Sequence, residues 1–196
     1  MTLKIYLINY QDIPLETLLN SNYLSVLEGF SYRNYQNESV KKEKIISKIL
    51  KNKYVGDYYL NKYGKPMSKT KCFNISHSGG YIALVIDTHP VGIDIENIRK
   101  MDEDIKDYIA SEQEKNFIHD DESFFEIWTN KEALVKANGN GINQKINTIP
   151  GLPINGLRNY ANKEFFNKTI KYQNLIITVS RESKEDFDIE IIEEVI

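Results

Sequence analysis

Six residues, Val91-Gly92-Ile93-Asp94-Ile95-Glu96, restrict this fold more than any other segment. Their strict apolar/acidic alternation has the period of a β-strand, whose successive side chains point to opposite faces. Val91, Ile93 and Ile95 then share a core face, and Asp94 and Glu96 share the other. At a rise of about 3.3 Å per residue, the two acids stand roughly 6–7 Å apart along the strand. Gly92 is expected to leave that face open beside them. Such a strand needs apolar packing on one side. On the other it presents either a solvated acidic face or a seat for a hard divalent cation. Mg2+ suits such a seat, because it takes oxygen ligands and keeps waters for a phosphate substrate.

A second pattern has the other period. In Phe125-Glu126-Ile127-Trp128-Thr129-Asn130-Lys131-Glu132-Ala133-Leu134-Val135-Lys136, the residues Trp128, Glu132 and Lys136 are four apart and lie along one face of a helix. Glu132 can complete a three-carboxylate metal site or act as a base, and Lys136 can meet a phosphate as a point charge. The plain alternative is a surface Glu–Lys pair, worth a few tenths of a kcal/mol, roughly, with Trp128 in the core.

The third segment, Cys72-Phe73-Asn74-Ile75-Ser76-His77-Ser78-Gly79-Gly80, reads as a short strand whose core residues are Phe73 and Ile75. It is expected to end in small side chains with backbone amides free for an anion, or in a histidine with only a structural part. The Gly-x-Ser-x-Gly elbow of serine hydrolases is absent, and Ser76 and His77, as neighbours, should point apart.

Around these segments the chain reads as mixed helix and strand. Strands are expected at 3–8, 73–76, 81–86, 91–96, 175–180 and 187–195, and helices at about 15–29, 39–53, 102–118 and 123–137. The 39–53 helix carries Val40, Ile45, Ile46, Ile49 and Leu50 on its apolar side, with Lys41, Lys42, Lys44, Lys48 and Lys51 around them. Gly64-Lys65-Pro66 marks a turn, and Asn138-Gly139-Asn140-Gly141 terminates the 123–137 helix. The order of elements repeats loosely, without a sequence repeat, so each half reads as helices plus a small antiparallel sheet. Asp87-Thr88-His89-Pro90 is the junction, dividing 1–89 from 90–196.

Composition narrows the class. A net charge of −3 over 196 residues argues against a nucleic-acid partner, which calls for a basic excess. The single cysteine, Cys72, cannot pair within the chain or build a cysteine metal cage, and fits a cytoplasmic setting. The N-terminus is too short and polar for a secretory core, and no apolar run reaches the roughly 18 residues of a membrane span.

Taken in order, Gly64-Lys65-Pro66, Phe73-Asn74-Ile75-Ser76-His77-Ser78-Gly79, Val91-Gly92-Ile93-Asp94-Ile95-Glu96 and Trp128-Thr129-Asn130-Lys131-Glu132-Ala133-Leu134-Val135-Lys136 closely resemble the signatures of 4′-phosphopantetheinyl transferases. The length resembles the surfactin-synthetase-activating type rather than the half-length, trimeric holo-acyl-carrier-protein synthase type. The resemblance implies an α+β fold of two similar halves in pseudo-twofold arrangement, binding coenzyme A between them. It implies that Asp94, Glu96 and Glu132 hold Mg2+ and that Lys136 lies near the pyrophosphate. Ser76 and His77 then contact the coenzyme A phosphates, and Lys65 lies near the nucleotide 3′-phosphate. The N-terminal half departs from the family pattern. Where the family places an arginine in the helix before Gly-Lys-Pro, this helix has Lys41, Lys42 and Lys44 around Glu43, and the one early arginine is Arg33. Any single lysine of that run also reads as part of a solvated helix face.

The implied reaction moves the phosphopantetheine arm onto a serine of an apo carrier protein and releases 3′,5′-ADP. Glu132 is the candidate general base, and carrier docking is expected to use apolar and basic groups beside the cleft. With two halves in one chain, a monomer suffices. The rival readings are another Mg2+-dependent phosphohydrolase or nuclease using the same acids, and a relative that binds a carrier without turnover.

Overall fold

The structure is a computed structural model, and it describes residues 1–25, 28, 31–32, 35–141 and 145–196. Arg33 and part of the helix expected over 15–29 lie outside the described residues.

Two four-stranded sheets carry the fold. In the first, β4 (Cys72–Ser78) and β5 (Tyr81–Asp87) form a hairpin, β1 (Thr2–Asn9) lies antiparallel to β5, and β10 (Asp188–Glu193) closes the other edge. The second sheet has the order β6 (Val91–Asn97), β9 (Leu175–Arg181), β8 (Lys163–Tyr172) and β7 (Gly156–Tyr160), with every pair antiparallel. A two-stranded ribbon of β2 (Tyr59–Leu60) and β3 (Pro66–Met67) turns at Gly64, whose φ of 80° suits glycine. Two expectations change here. β10 pairs with β1 in parallel, so the first sheet is mixed, and the last strand of the chain completes the sheet that the first strand began.

Alternation places the core. Leu3, Ile5 and Leu7 of β1 and Ala83 and Val85 of β5 face Val91, Ile93 and Ile95 of β6 and Leu175, Ile177 and Val179 of β9, so the sheets pack apolar face to apolar face. Each outer face takes a helix. Helix α2 (Glu38–Leu50), capped by the Asn37 side chain and continued by a π-helical turn over Lys51–Val55, buries Ile45, Ile46, Ile49 and Leu50 against Ile8, Ile82 and Leu84. A short α1 (Leu15–Leu19) adds Leu18 to that layer. Helix α5 (Asp121–Asn138) buries Phe124, Phe125, Ile127 and Leu134 against Phe165 and Ile176. The result is an α+β fold of two similar halves, helix–sheet against sheet–helix.

The helix expected over 102–118 is two, α3 (Glu103–Ile109) and α4 (Glu112–Phe117), because the chain turns extended at Ala110 and restarts at Ser111. Ser111 and Glu114 form a reciprocal capping box. Glu114 also pairs with Lys131 of α5 at 2.7 Å, both fully buried, and the Lys131 ammonium donates to the carbonyls of Ile109 and Ile146.

Helix α5 approaches the second sheet through Gly92. A Cβ on Gly92 would sit 2.1 Å from the Ala133 carbonyl oxygen and 2.3 Å from the Ala137 nitrogen. The glycine therefore does not leave its face open; it admits the helix backbone. Gly92→Ala is expected to destabilise the protein by about 3 kcal/mol, the upper range for overpacking, since both obstacles are helix backbone. Chemical denaturation measures this, and a loss below about 1 kcal/mol would contradict so tight a contact.

Candidate functional site

The same contact builds the site. Seated on Gly92, α5 runs its Trp128–Glu132–Lys136 face over the Gly92–Asp94–Glu96 face of β6. The Trp128 indole Nε1 donates to Glu96 Oε1 at 3.3 Å, and the Lys136 Nζ lies 2.5 Å from Asp94 Oδ1. Glu132, one helical turn from each, falls between these two contacts. Lys136 pairs with Asp94 rather than with Glu132, so the simple surface Glu–Lys pair is not what this helix forms.

The two acids of β6 are fixed from the first sheet. β4 and β6 are outer strands of their sheets, and β6 turns its unpaired amides toward β4. Ile93 N donates to Asn74 Oδ1 (2.9 Å), Ile95 N to Ser76 Oγ (3.3 Å) and Asn97 N to Ser78 Oγ (3.2 Å). The serine hydroxyls pass their own protons to the carboxylates, Ser76 to Asp94 Oδ1 at 2.8 Å and Ser78 to Glu96 Oε2 at 2.7 Å. This changes one expectation. Strand β4 runs through Ser78 in register with β5, so Ser76, His77 and Ser78 do not end the strand with free amides. What they offer is side chains: Ser76 inward, and His77 to the other side, where its Nδ1 lies 3.7 Å from Glu43 Oε2.

The carboxylates differ in their surroundings. Asp94 is buried, its Oδ2 has no hydrogen-bond partner among the described residues, and burial raises its pKa against the lowering influence of Lys136 and Ser76. Glu132 forms no hydrogen bond or ion pair with the described residues. Its pKa is raised first by burial and then by the nearby charges of Asp94 and Glu96. Glu96 has three partners: Ser78, Trp128 and Arg99, whose Nη1 donates at 2.8 Å. Among the described residues, no three His, Cys, Asp or Glu side chains are placed closely enough together to hold a metal ion. The chemistry still fits a hard cation. An orphaned buried carboxylate oxygen and a second carboxylate without a donor, both pushed toward protonation chiefly by burial, form an oxygen set short of positive charge.

Lys65 lies at the end of α5, where its Nζ donates to the carbonyls of Lys136 (2.5 Å) and Ala137 (3.4 Å). It lines a cavity of about 210 Å³ with Lys71, Gly139, Asn140 and Lys163. A larger hollow of about 390 Å³ opens beside Glu96, between Arg99, Ile105, Phe125 and Trp128. The structure thus brings Ser76, Asp94 and Lys136 into direct contact and Glu96 and Glu132 beside them. Lys65 is linked to this group through the helix backbone, and His77 faces away. Of the lysine run, Lys42 pairs with Glu38 and Lys48 with Glu28. Sequence reasoning passed over Ser78 and Arg99. Asn74, Ser76 and Ser78 recur at every second residue, and that polar period of two was the available signal.

Comparison with known proteins agrees with this architecture. Residues 90–190 match the family model of the 4′-phosphopantetheinyl transferase superfamily. The protein named 4′-phosphopantetheinyl transferase gsp, from Aneurinibacillus migulanus, is 41% identical over 96 residues, which is 45% of this chain but only 40% of that protein. The 4′-phosphopantetheinyl transferases ffp, from Bacillus subtilis, and Sfp, from Bacillus subtilis strain 168, are 28% and 24% identical over 169 residues, each match covering 75% of both chains. This chain belongs to the 4′-phosphopantetheinyl transferase superfamily.

Burial lowers the Lys65 pKa from 10.5 to about 8. Between those values the unfolded chain binds the proton that the folded one has lost, so this group makes the fold more stable as pH rises from about 8 to 10.5. Lys65→Met should remove that increment. Denaturation at pH 8 and pH 10 is expected to show a smaller gain, or a larger loss, for the variant than for the unaltered protein; parallel behaviour would refute the assignment.

Proposed function

We propose that this chain transfers the 4′-phosphopantetheine arm of coenzyme A to a serine hydroxyl of an apo acyl, peptidyl or aryl carrier protein, releasing 3′,5′-ADP. One observation carries the reading: Glu132 stands on α5 between the Trp128–Glu96 and Lys136–Asp94 contacts, with its carboxylate free of hydrogen-bond and ion-pair partners among the described residues. Three acids from two elements far apart in sequence thus lie on facing elements beside a lysine, near enough for their charges to act on Glu132.

Asp94, Glu96 and Glu132 are the residues that would hold Mg2+, which, when bound, supplies charge neutralisation for a diphosphate and its leaving group. The chain's own residues do the rest. Lys136 places a second positive charge at the phosphates. Glu132, its basicity raised by burial and by its acidic neighbours, takes the proton of the carrier's serine hydroxyl. The serine oxygen forms a bond to the β-phosphorus, the bond from that phosphorus to the bridging oxygen breaks, and 3′,5′-ADP leaves with the bonding pair. Ser76 and Lys136 lie 3.2 Å apart and reach the phosphates from the first sheet and from α5. Lys65, on the cavity beyond the end of α5, and His77, on the α2 side, are the proposed nucleotide-side contacts.

The proposed division is an N-terminal half, 1–89, and a C-terminal half, 90–196, whose last strand β10 crosses back to pair with β1, with the active site where they meet. The serine–carboxylate bonds from β4 to β6 support it. Because one chain supplies both sides of that cleft, a monomer is the proposed working unit, in a cytoplasmic setting, with coenzyme A and the carrier as partners rather than nucleic acid or a membrane. No helix among the described residues is long and apolar enough to cross a membrane.

Incubation with an apo carrier domain, coenzyme A and Mg2+, followed by intact mass analysis, tests this reading. The carrier should gain one phosphopantetheine, and EDTA should prevent the gain. Glu132→Gln should fold normally yet lose about 10²- to 10⁴-fold in turnover, the usual worth of a general base. A carrier bound but never modified would sink the enzymatic reading, and undiminished turnover in Glu132→Gln would remove that residue from the chemistry.

A further inference from the structure

The Ser78 hydroxyl is fixed at both ends. Its oxygen accepts the Asn97 amide at 3.2 Å, and its proton goes to Glu96 Oε2 at 2.7 Å. A hydroxyl has one proton and two lone pairs. Occupying a lone pair with a strand amide aims the proton, and the proton aims the carboxylate. The other holders of Glu96 are looser. Arg99 is 57% exposed, so its ion pair is screened by water, and the Trp128 contact is long at 3.3 Å. Asn74, two rungs along β4, makes the same kind of amide bond, to Ile93, without touching an acid. It shows what this inter-strand bonding does by itself.

We propose that Ser78 is a positioning residue for the transfer reaction, holding the Glu96 carboxylate in the orientation in which it faces the ion seat shared with Asp94 and Glu132. The inference rests on the proposed metal reading of these acids and adds a residue to it. Partners that orient a metal ligand typically contribute about ten- to a hundredfold in metal affinity.

The test is calorimetric titration of Mg2+ into the protein with saturating coenzyme A and no carrier. Trp128 emission of the metal-free protein is recorded alongside. Trp128 is the single tryptophan of the chain and touches Glu96, so its emission reports on the same carboxylate. Ser78→Ala is expected to weaken Mg2+ binding about tenfold and to shift the emission. Ser78→Thr, which keeps the hydroxyl, should restore both. Asn74→Ala should lower Tm while leaving Mg2+ affinity within about twofold, since it removes only the structural bond. Unchanged affinity in Ser78→Ala, or an equal loss in Asn74→Ala, overturns the positioning role while leaving the metal reading intact. Absence of Mg2+ uptake by the unaltered protein overturns the metal reading instead. In that case an unshifted emission in Ser78→Ala separately refutes the hold on Glu96.

Discussion

Everything at the site depends on the helix α5 backbone lying directly against Gly92 of β6. A side chain there would lift the helix off the strand, and the faces that carry Trp128, Glu132 and Lys136 on one side and Asp94 and Glu96 on the other would no longer meet. With the helix seated, two residues eight apart on α5, Trp128 and Lys136, reach two residues two apart on β6, Glu96 and Asp94. Those separations are about 12 Å along the helix and about 6.6 Å along the strand, so the long Trp128 and Lys136 side chains converge on the two acids from either side. Trp128 meets Glu96, Lys136 meets Asp94, and Glu132 has nowhere to go but between them. Charge repulsion and burial then raise the pKa of Glu132, a cost that packing elsewhere along α5 must cover.

That packing is partly polar. Helix α5 buries Thr129, Asn130 and Lys131 along with its aromatic and aliphatic residues. Thr129 bonds Thr178 at 2.8 Å, Asn130 bonds Thr169 at 2.8 Å and Asn167 at 3.0 Å, and Lys131 bonds Glu114. Directional bonds fix a helix in rotation and register more tightly than apolar contact does. For α5 a small rotation would carry Glu132 away from the acids. Buried charge gives little net stability; what it gives here is a defined orientation.

Much of this was legible in the sequence, and the failures have a common cause. The β6 strand, its acids, the i, i+4 face of α5 and the stop at Gly139 were readable because each follows one unmixed period or one strong terminator. The β7 and β8 strands were missed. The inward positions of β8 include Asn167 and Thr169, polar residues that break the apolar alternation and whose side-chain amide nitrogen and hydroxyl bond Asn130, far away in sequence. The break in the 102–118 helix was encoded in the Ser111-Glu114 capping pair but masked by continuous helical composition. The role of Gly92 could not be read locally, because an absent side chain looks the same whether it opens a face or admits a neighbour. The parallel pairing of β10 with β1 joins segments about as far apart as the chain allows.

The junction between the sheets follows the same logic. Two outer strands, each with unpaired amides, meet at β4 and β6, and exposed edges of this kind invite unwanted pairing. Here the edge of β6 is closed by side chains rather than by a strand, and two of the three closing groups are serines that also hold acids. A direct backbone ladder would satisfy the same amides but leave no hydroxyl to direct at Asp94 or Glu96. The buried Arg181–Asp87 pair, 2.5 Å apart, ties the end of β9 to the end of β5 near the point where the chain passes from one sheet to the other. The boundary is therefore stiff where the halves are joined and polar where the acids are presented. Acids brought near enough for their charges to raise the Glu132 pKa are kept in place by that combination.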